Sequence, residues 1–186
     1  MSQDARAFLI ERLPGDSVGA EIGVHNGDFS ARLLTALRPW KLHLIDPWLH
    51  HTDEAYRDAW YGGRAADGQK EMDARYQAVC RRFARDIRCG VAVVHRKTSA
   101  EALAELPAQS LDWVYIDGNH RYEYVMEDLR LSLARTRVGG LVTGDDYGDG
   151  GWWQGGVKKA VDEFCCRDDV SLEDLRNGQF ILRRLA

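Results

Sequence analysis

The chain has 186 residues, 45% of them hydrophobic and 29% charged, which is room for one α/β domain with an ordinary core and tight for two. Its 25 Lys and Arg against 29 Asp and Glu leave a formal charge of −4, the wrong sign for nucleic acid or an anionic membrane as principal partner. The longest aliphatic run is residues 91–94, far short of the roughly 20 residues of a membrane span, and the N-terminal stretch MSQDARAFLIERLPGD has no signal-peptide core. The expectation is a cytoplasmic protein with neither a membrane nor a nucleic acid as partner.

Short apolar runs alternate with helical patterns along the chain, the signature of a parallel α/β sheet. Residues 18–24 read as a first strand, followed by a Gly-containing turn and a helix over 29–37. Residues 42–45 form a second strand that ends at Asp46-Pro47. Then come about 44 residues, 47–90, before the next strand, too many for a simple connection. Their second half is a helix with Met72, Tyr76, Val79, Cys80, Phe83 and Ile87 on one face. Their first half is rich in aromatics, His and Gly without a period, and is read as a lid insertion on the substrate side. Residues 91–95, 111–116 and 141–143 are the third, fourth and fifth strands. The helix after the fourth strand places Tyr122, Val125, Met126, Leu129 and Leu133 at i, i+3, i+4, i+7 spacing. Val157, Ala160, Val161, Phe164 and Cys165 repeat that pattern after the fifth. Residues 170–175 and 179–182 complete seven strands, joined at Asn177-Gly178, a preferred hairpin turn. Cys80, Cys89, Cys165 and Cys166 show no CxxC spacing and read as free thiols.

In an open parallel sheet, ligands bind beyond the carboxyl ends of the strands. Four of the five parallel strand ends here carry a carboxylate: Glu21, Asp46, Asp117 and the pair Asp145-Asp146. The turn after the first strand has glycines at Gly23 and Gly27. Val24 and His25 break the GxGxxG pattern of a dinucleotide site, and no GK[ST] follows for a P-loop. Glu21 beside that turn disfavours a phosphate and suits a ligand with a cationic group. Asp46 is placed to accept hydrogen bonds from a ribose diol.

Glu21-Ile-Gly-Val-His-Asn-Gly27, Asp46-Pro, Val-Tyr-Ile-Asp117-Gly-Asn-His120 and Gly139-Gly-Leu-Val-Thr-Gly-Asp-Asp146 together resemble the motifs of class I S-adenosylmethionine-dependent methyltransferases. More narrowly they resemble the methyltransferase-24 group, related to catechol-type and macrolide or aminocoumarin sugar O-methyltransferases. The resemblance runs in order from about Val18 to Phe164. It implies a single Rossmann-like domain over residues 1–186, with a doubly wound seven-stranded sheet of order 3-2-1-4-5-7-6 and strand 7 antiparallel. It implies S-adenosylmethionine as cofactor, with Glu21, Gly23 and Gly27 along its methionine half. Asp46 would then take the ribose hydroxyls and Ser99 the adenine edge, with Asp117 counted among the cofactor-binding residues. Relatives are often dimers, so a homodimer is left open.

Asp117, Asp145 and Asp146 end adjacent strands, and three carboxylates in a dry crevice need a positive charge to offset them. A hard divalent cation such as Mg²⁺ is one answer, and it matches the metal-dependent relatives, whose ligands occupy these three positions. The other answer keeps the aspartates without an ion and gives the base role to an Asp or to His120, three residues past Asp117. Asn119 stands where sugar-modifying relatives carry a base and cannot take a proton. Trp48, Trp60, Tyr61, Tyr147, Trp152 and Trp153 fall in loops on the ligand side and suit a flat or sugar-like acceptor. The function expected is methylation of a hydroxyl on a small molecule. The alternatives are a cofactor-binding protein without transfer activity and a nicotinamide-dependent oxidoreductase, which the missing middle Gly opposes.

Overall fold

The computed structural model describes residues 6–186. Its architecture follows from the way side chains alternate along strands covered on both faces. β4 (Leu111–Ile116) shows the pattern. Val114 and Ile116 point into a core shared with Ala20, Leu129, Val142 and Val161. Trp113 and Tyr115 point to the opposite side, into a core with Leu33, Leu42, Leu44 and Val79. Burial on both faces is why this strand reads as an almost continuous apolar run instead of an alternating one.

Six more strands surround it: β1 (Val18–Ile22), β2 (Lys41–Ile45), β3 (Ala92–His95), β5 (Thr136–Gly144), β6 (Val170–Arg176) and β7 (Gln179–Arg184). Their order is β3-β2-β1-β4-β5-β7-β6. The first five are parallel, and β7 runs antiparallel to both β5 and β6. This is the doubly wound Rossmann-like sheet expected above. Asn177 and Gly178 join the last two strands with φ of 53° and 78°, the left-handed pair that a tight hairpin turn requires.

Helices α1 (Ala7–Arg12), α2 (Asp28–Leu37), α3 (Gln69–Arg82) and α4 (Ala84–Arg88) cover one face. Helices α5 (Ser99–Glu105), α6 (Tyr122–Arg135) and α7 (Gly156–Phe164) cover the other. On α6 the predicted stripe is the buried one: Val125, Met126, Leu129 and Leu133. Each such side chain contributes roughly 1.5–3 kcal/mol on burial, so packing holds this helix more than intrinsic propensity does. Among the described residues no helix is long and apolar enough to cross a membrane.

Three elements differ from expectation. β5 begins at Thr136 instead of residue 141, because α6 runs straight into it and the register against β4 shifts between Leu111 and Trp113; Gly139 and Gly140 hide that strand from a hydrophobic pattern. The helix expected through Ile87 breaks at Phe83 (φ −102°, ψ 18°) into α3 and α4. The six-residue α1 is too short to show a helical period. The aromatic-rich half of the long connection is a compact run of turns with a 3-10 turn at Glu54–Tyr56 and with Trp48, Tyr56, Ala59 and Ala65 buried.

Candidate active site

A cavity of about 630 Å³ opens at the carboxyl ends of β1, β2 and β4, where parallel sheets bind ligands and within the size range of small-molecule sites. Trp48, Leu49, Trp60 and Tyr61 of the long connection wall one side. Acidic groups outnumber basic ones on its lining: Glu21, Asp46, Asp117, Asp128 and Asp146 face it together with Arg6 and Arg75. An interior of that sign favours a cationic ligand.

The turn after β1 is shaped by close approach. Gly23 has φ +89°, and a Cβ there would collide with the backbone carbonyl of Asp117. Only glycine lets the ends of β1 and β4 meet, so the turn backbone itself becomes cavity wall. Gly27, at φ +75°, caps α2 and turns its bare side to the Phe83 ring. It shapes the turn from behind and does not line the cavity. Glu21 is buried, and its carboxyl accepts a hydrogen bond from Ser30 Oγ. Desolvation pushes its pKa up to about 8 despite that bond, with the nearby Asp117 charge adding to the shift. Asp46, at the end of β2, accepts from the His25 amide at 3.0 Å and the Trp48 amide at 2.7 Å. Burial still raises its pKa above the ordinary value. A carboxylate offers about four acceptor sites, so it keeps capacity for hydroxyls entering from the cavity.

Ser99 opens α5 and lines the cavity. Beside it on the lining is Asp128, an α6 residue only 3% exposed whose burial pushes its pKa up to about 7, with the Ser99 side chain acting in the opposite direction.

At the ends of β4 and β5, His120 Nε2 lies 3.3 Å from Asp117 Oδ1 and 3.1 Å from Asp146 Oδ2. Burial opposes the imidazolium, but Asp117 and Asp146 outweigh it and hold the pKa above the ordinary histidine value. The ring packs on Trp153 with centroids 4.9 Å apart, and its Nδ1 has no hydrogen-bond partner among the described residues. Asp145 does not join this group. Its Oδ2 accepts from Arg6 Nε at 2.9 Å and Nη2 at 2.6 Å, and its Oδ1 accepts from Gln179 Nε2 and from the Asp146 amide. Arg6 Nη2 also donates to Asp117 Oδ2 at 2.6 Å.

The divalent-ion triad implied by the resemblance therefore does not assemble. Asp117 and Asp146 are brought together with His120, their donor atoms within 4.8 Å of one another, while Asp145 is turned away and saturated. Mg²⁺ demands oxygen ligands in near-octahedral array; here one of the three carboxylates is spent on protein donors and a second is shared with a guanidinium. The residues present do not fit that ion.

The sequence pattern of Methyltransf_24, described as a methyltransferase domain, matches residues 20–147, more than half of the chain. The chain belongs to this methyltransferase family. Its fold is similar to that of an rRNA methylase from Streptococcus thermophilus, at 15% identity and a TM-score of 0.62, over 100% of this chain and 99% of that one. It is also similar to the O-methyltransferase TomG from Streptomyces achromogenes, involved in tomaymycin synthesis and solved in complex with SAM. There the identity is 19% and the TM-score 0.64, over 96% of this chain and 77% of that one. No curated protein matches the sequence.

Two cavity residues of this methyltransferase escape sequence reading. Arg6 reaches partners 111 and 139 residues away, a distance at which no local pattern carries information. Asp128 had a signal: it lies on the same face of the α6 period as Val125, where a carboxylate is out of place unless it has a task. Asn119 donates its side-chain amide to Tyr56 Oη at 3.0 Å, tying the methyltransferase's β4–α6 turn to the long connection. His51 packs on Tyr56 and Tyr61 in that connection. His43 and His95 lie within β2 and β3 and pair with each other.

Proposed function

We propose that this methyltransferase uses S-adenosylmethionine to methylate a hydroxyl oxygen of a small sugar-like or polyphenolic molecule, with His120 as general base. The observation that carries the reading is His120, held between Asp117 and Asp146 in a cavity that also contains Glu21, Gly23 and Asp46. The cofactor fits what is present: an acid-lined chamber for a cation, a wall of bare backbone at Gly23, and a strand-end carboxylate with acceptor capacity left. When bound, it supplies a methyl group on a sulfonium centre, transferred by in-line displacement.

The chain's own residues do the rest. Asp46 takes the ribose hydroxyls. Glu21 and the turn backbone receive the amino-acid end, and Ser99 with Asp128 faces the nucleobase. His120 accepts the proton of the attacking hydroxyl, and Asp117 and Asp146 stabilise the imidazolium that results. Trp60 and Tyr61 exclude water and orient a flat acceptor, which matters because this reaction depends on approach and alignment more than on covalent help. The acceptor is taken as a small molecule because the cavity is walled by aromatic rings and the chain carries net negative charge. The test is transfer of labelled methyl from the cofactor to a panel of diols, deoxysugars and catechols, with Asp117→Ala as control. Label on an acceptor oxygen, lost in the control, is expected. Transfer to nitrogen or to RNA alone would overturn the reading.

A further inference from the structure

Asp117, Asp145 and Asp146 stand at the ends of β4 and β5, and the structure supplies a counter-charge to the first two from the other end of the chain. Arg6 Nη2 is hydrogen-bonded to Asp117 Oδ2 and Asp145 Oδ2, both at 2.6 Å, and Nε holds Asp145 Oδ2 a second time at 2.9 Å. The guanidinium is packed as well, its carbon 5.1 Å from the Phe29 ring centroid and 5.7 Å from that of Tyr115. Tyr115 Oη approaches the same Asp145 oxygen at 3.3 Å, and Gln179 and the Asp146 amide take the other oxygen. Charge-assisted bonds from a planar fork to two carboxylates are among the strongest polar contacts a protein makes. A guanidinium cannot lose its charge at any working pH.

We infer that Arg6 is the resident cation of this site, doing there what a divalent metal does in sites with three open carboxylates, so that the chemistry at His120 needs no metal ion. Arg6 fixes Asp117 and Asp145 in place. The remaining oxygen of Asp117 is thereby aimed at His120 Nε2, and Asp146, whose amide is bound to Asp145, is held against the same nitrogen. Arg6 is thus a positioning residue: it acts on the base through Asp117 and Asp146. The inference rests on the proposed methyl transfer only for its meaning; the counter-charge itself is tested without substrate.

The probe is Mn²⁺ alone, followed by electron paramagnetic resonance and by the thermal midpoint of the full chain. The native protein is expected to copurify with no stoichiometric divalent ion and to keep its midpoint in chelator. Arg6→Met keeps the apolar stem and removes the charge. It is expected to melt lower, to bind one Mn²⁺ at least tenfold more tightly than the native chain, and to regain its midpoint when the ion is added. In Arg6→Met/Asp145→Asn that gain is expected to vanish, because the relief of like charge is then built in. One divalent ion bound tightly by the native chain and lost in Asp117→Asn overturns the inference. So does an Arg6→Met protein that folds as stably as the native one and ignores Mn²⁺. Should Arg6→Met fail to fold, the native chain's metal content and its midpoint in chelator still decide the matter. Calorimetric titration with S-adenosylhomocysteine on the same samples separates the two proposals: its binding by a native chain that holds Mn²⁺ leaves the methyltransferase reading standing while the arginine inference falls.

Discussion

The two halves of the cavity are built by different means. The half around Glu21, Gly23 and Asp46 is made of backbone and of residues adjacent to their own strand ends. The Asp46 carboxylate is fixed by two amides, His25 and Trp48, at most 21 residues away. The half around Asp117, His120 and Asp146 is made of side chains from far apart in the chain. Arg6 and the pair Trp152 and Trp153 converge on it, and Tyr115 and Gln179 hold the neighbouring Asp145. A site made of backbone is inherited with the fold. One made of converging side chains is specific to the sequence, which suits a division in which the first half holds a common cofactor and the second a particular acceptor.

The sharpest test of that division is His120→Gln. General-base catalysis contributes typically 10²–10⁴-fold, so kcat should fall by about that factor in the labelled-methyl assay. Affinity for S-adenosylhomocysteine should stay within about twofold in calorimetry. A comparable loss in both would show that the halves are one unit. Gly23→Ala attacks the seam between them. The new Cβ meets the Asp117 carbonyl in a left-handed backbone conformation, and strain of this kind is among the mechanisms that give large single-site losses. A loss of about 3 kcal/mol in denaturant unfolding is expected, with cofactor and acceptor binding weakened together. Unchanged stability would mean that β1 and β4 can separate without cost.

The division also marks what the sequence made legible. The seven strands and the α6 stripe follow from apolar runs and a period of 3.6, which are local, while the strand order and the antiparallel last strand came from the resemblance of the strand-end motifs to a known family. Glu21, Asp46 and Asp117 were findable because a carboxylate at the end of an apolar strand is a local event. The partners of Asp145 were not. A three-carboxylate cluster announces that some cation must be near, and the sequence names the acids while the fold chooses the cation. Arg6 precedes a six-residue helix too short to show a period, and nothing in its neighbours points 139 residues downstream. Gly27 illustrates the reverse case. It belongs to the motif, yet its required conformation serves the Phe83 contact and not the cavity surface.

Glu21 gives the smallest effect on binding and the most diagnostic one, because it should move stability and binding in opposite directions. Its folded pKa is about 8 against an ordinary 4.5, with burial as the main cause. A raised carboxyl pKa means that the folded chain holds the proton where the unfolded chain has released it. Folding stability therefore declines as pH rises from about 4.5 through about 8, and levels off above. Glu21→Gln keeps the shape and removes that decline, so its thermal midpoint should overtake the native one between pH 7 and 9. Binding should go the other way. A cationic amino group beside Glu21 favours the carboxylate, so the native chain should release close to one proton on taking up S-adenosylhomocysteine at pH 7, and its affinity should rise toward pH 8. The variant should release none and bind about tenfold more weakly, the scale of one charge-assisted hydrogen bond. Calorimetry in buffers of different ionisation enthalpy reads the proton directly. Equal proton release by the two proteins would place the linked group elsewhere, and Glu21 would then be a buried acid held by Ser30 for the sake of the turn alone.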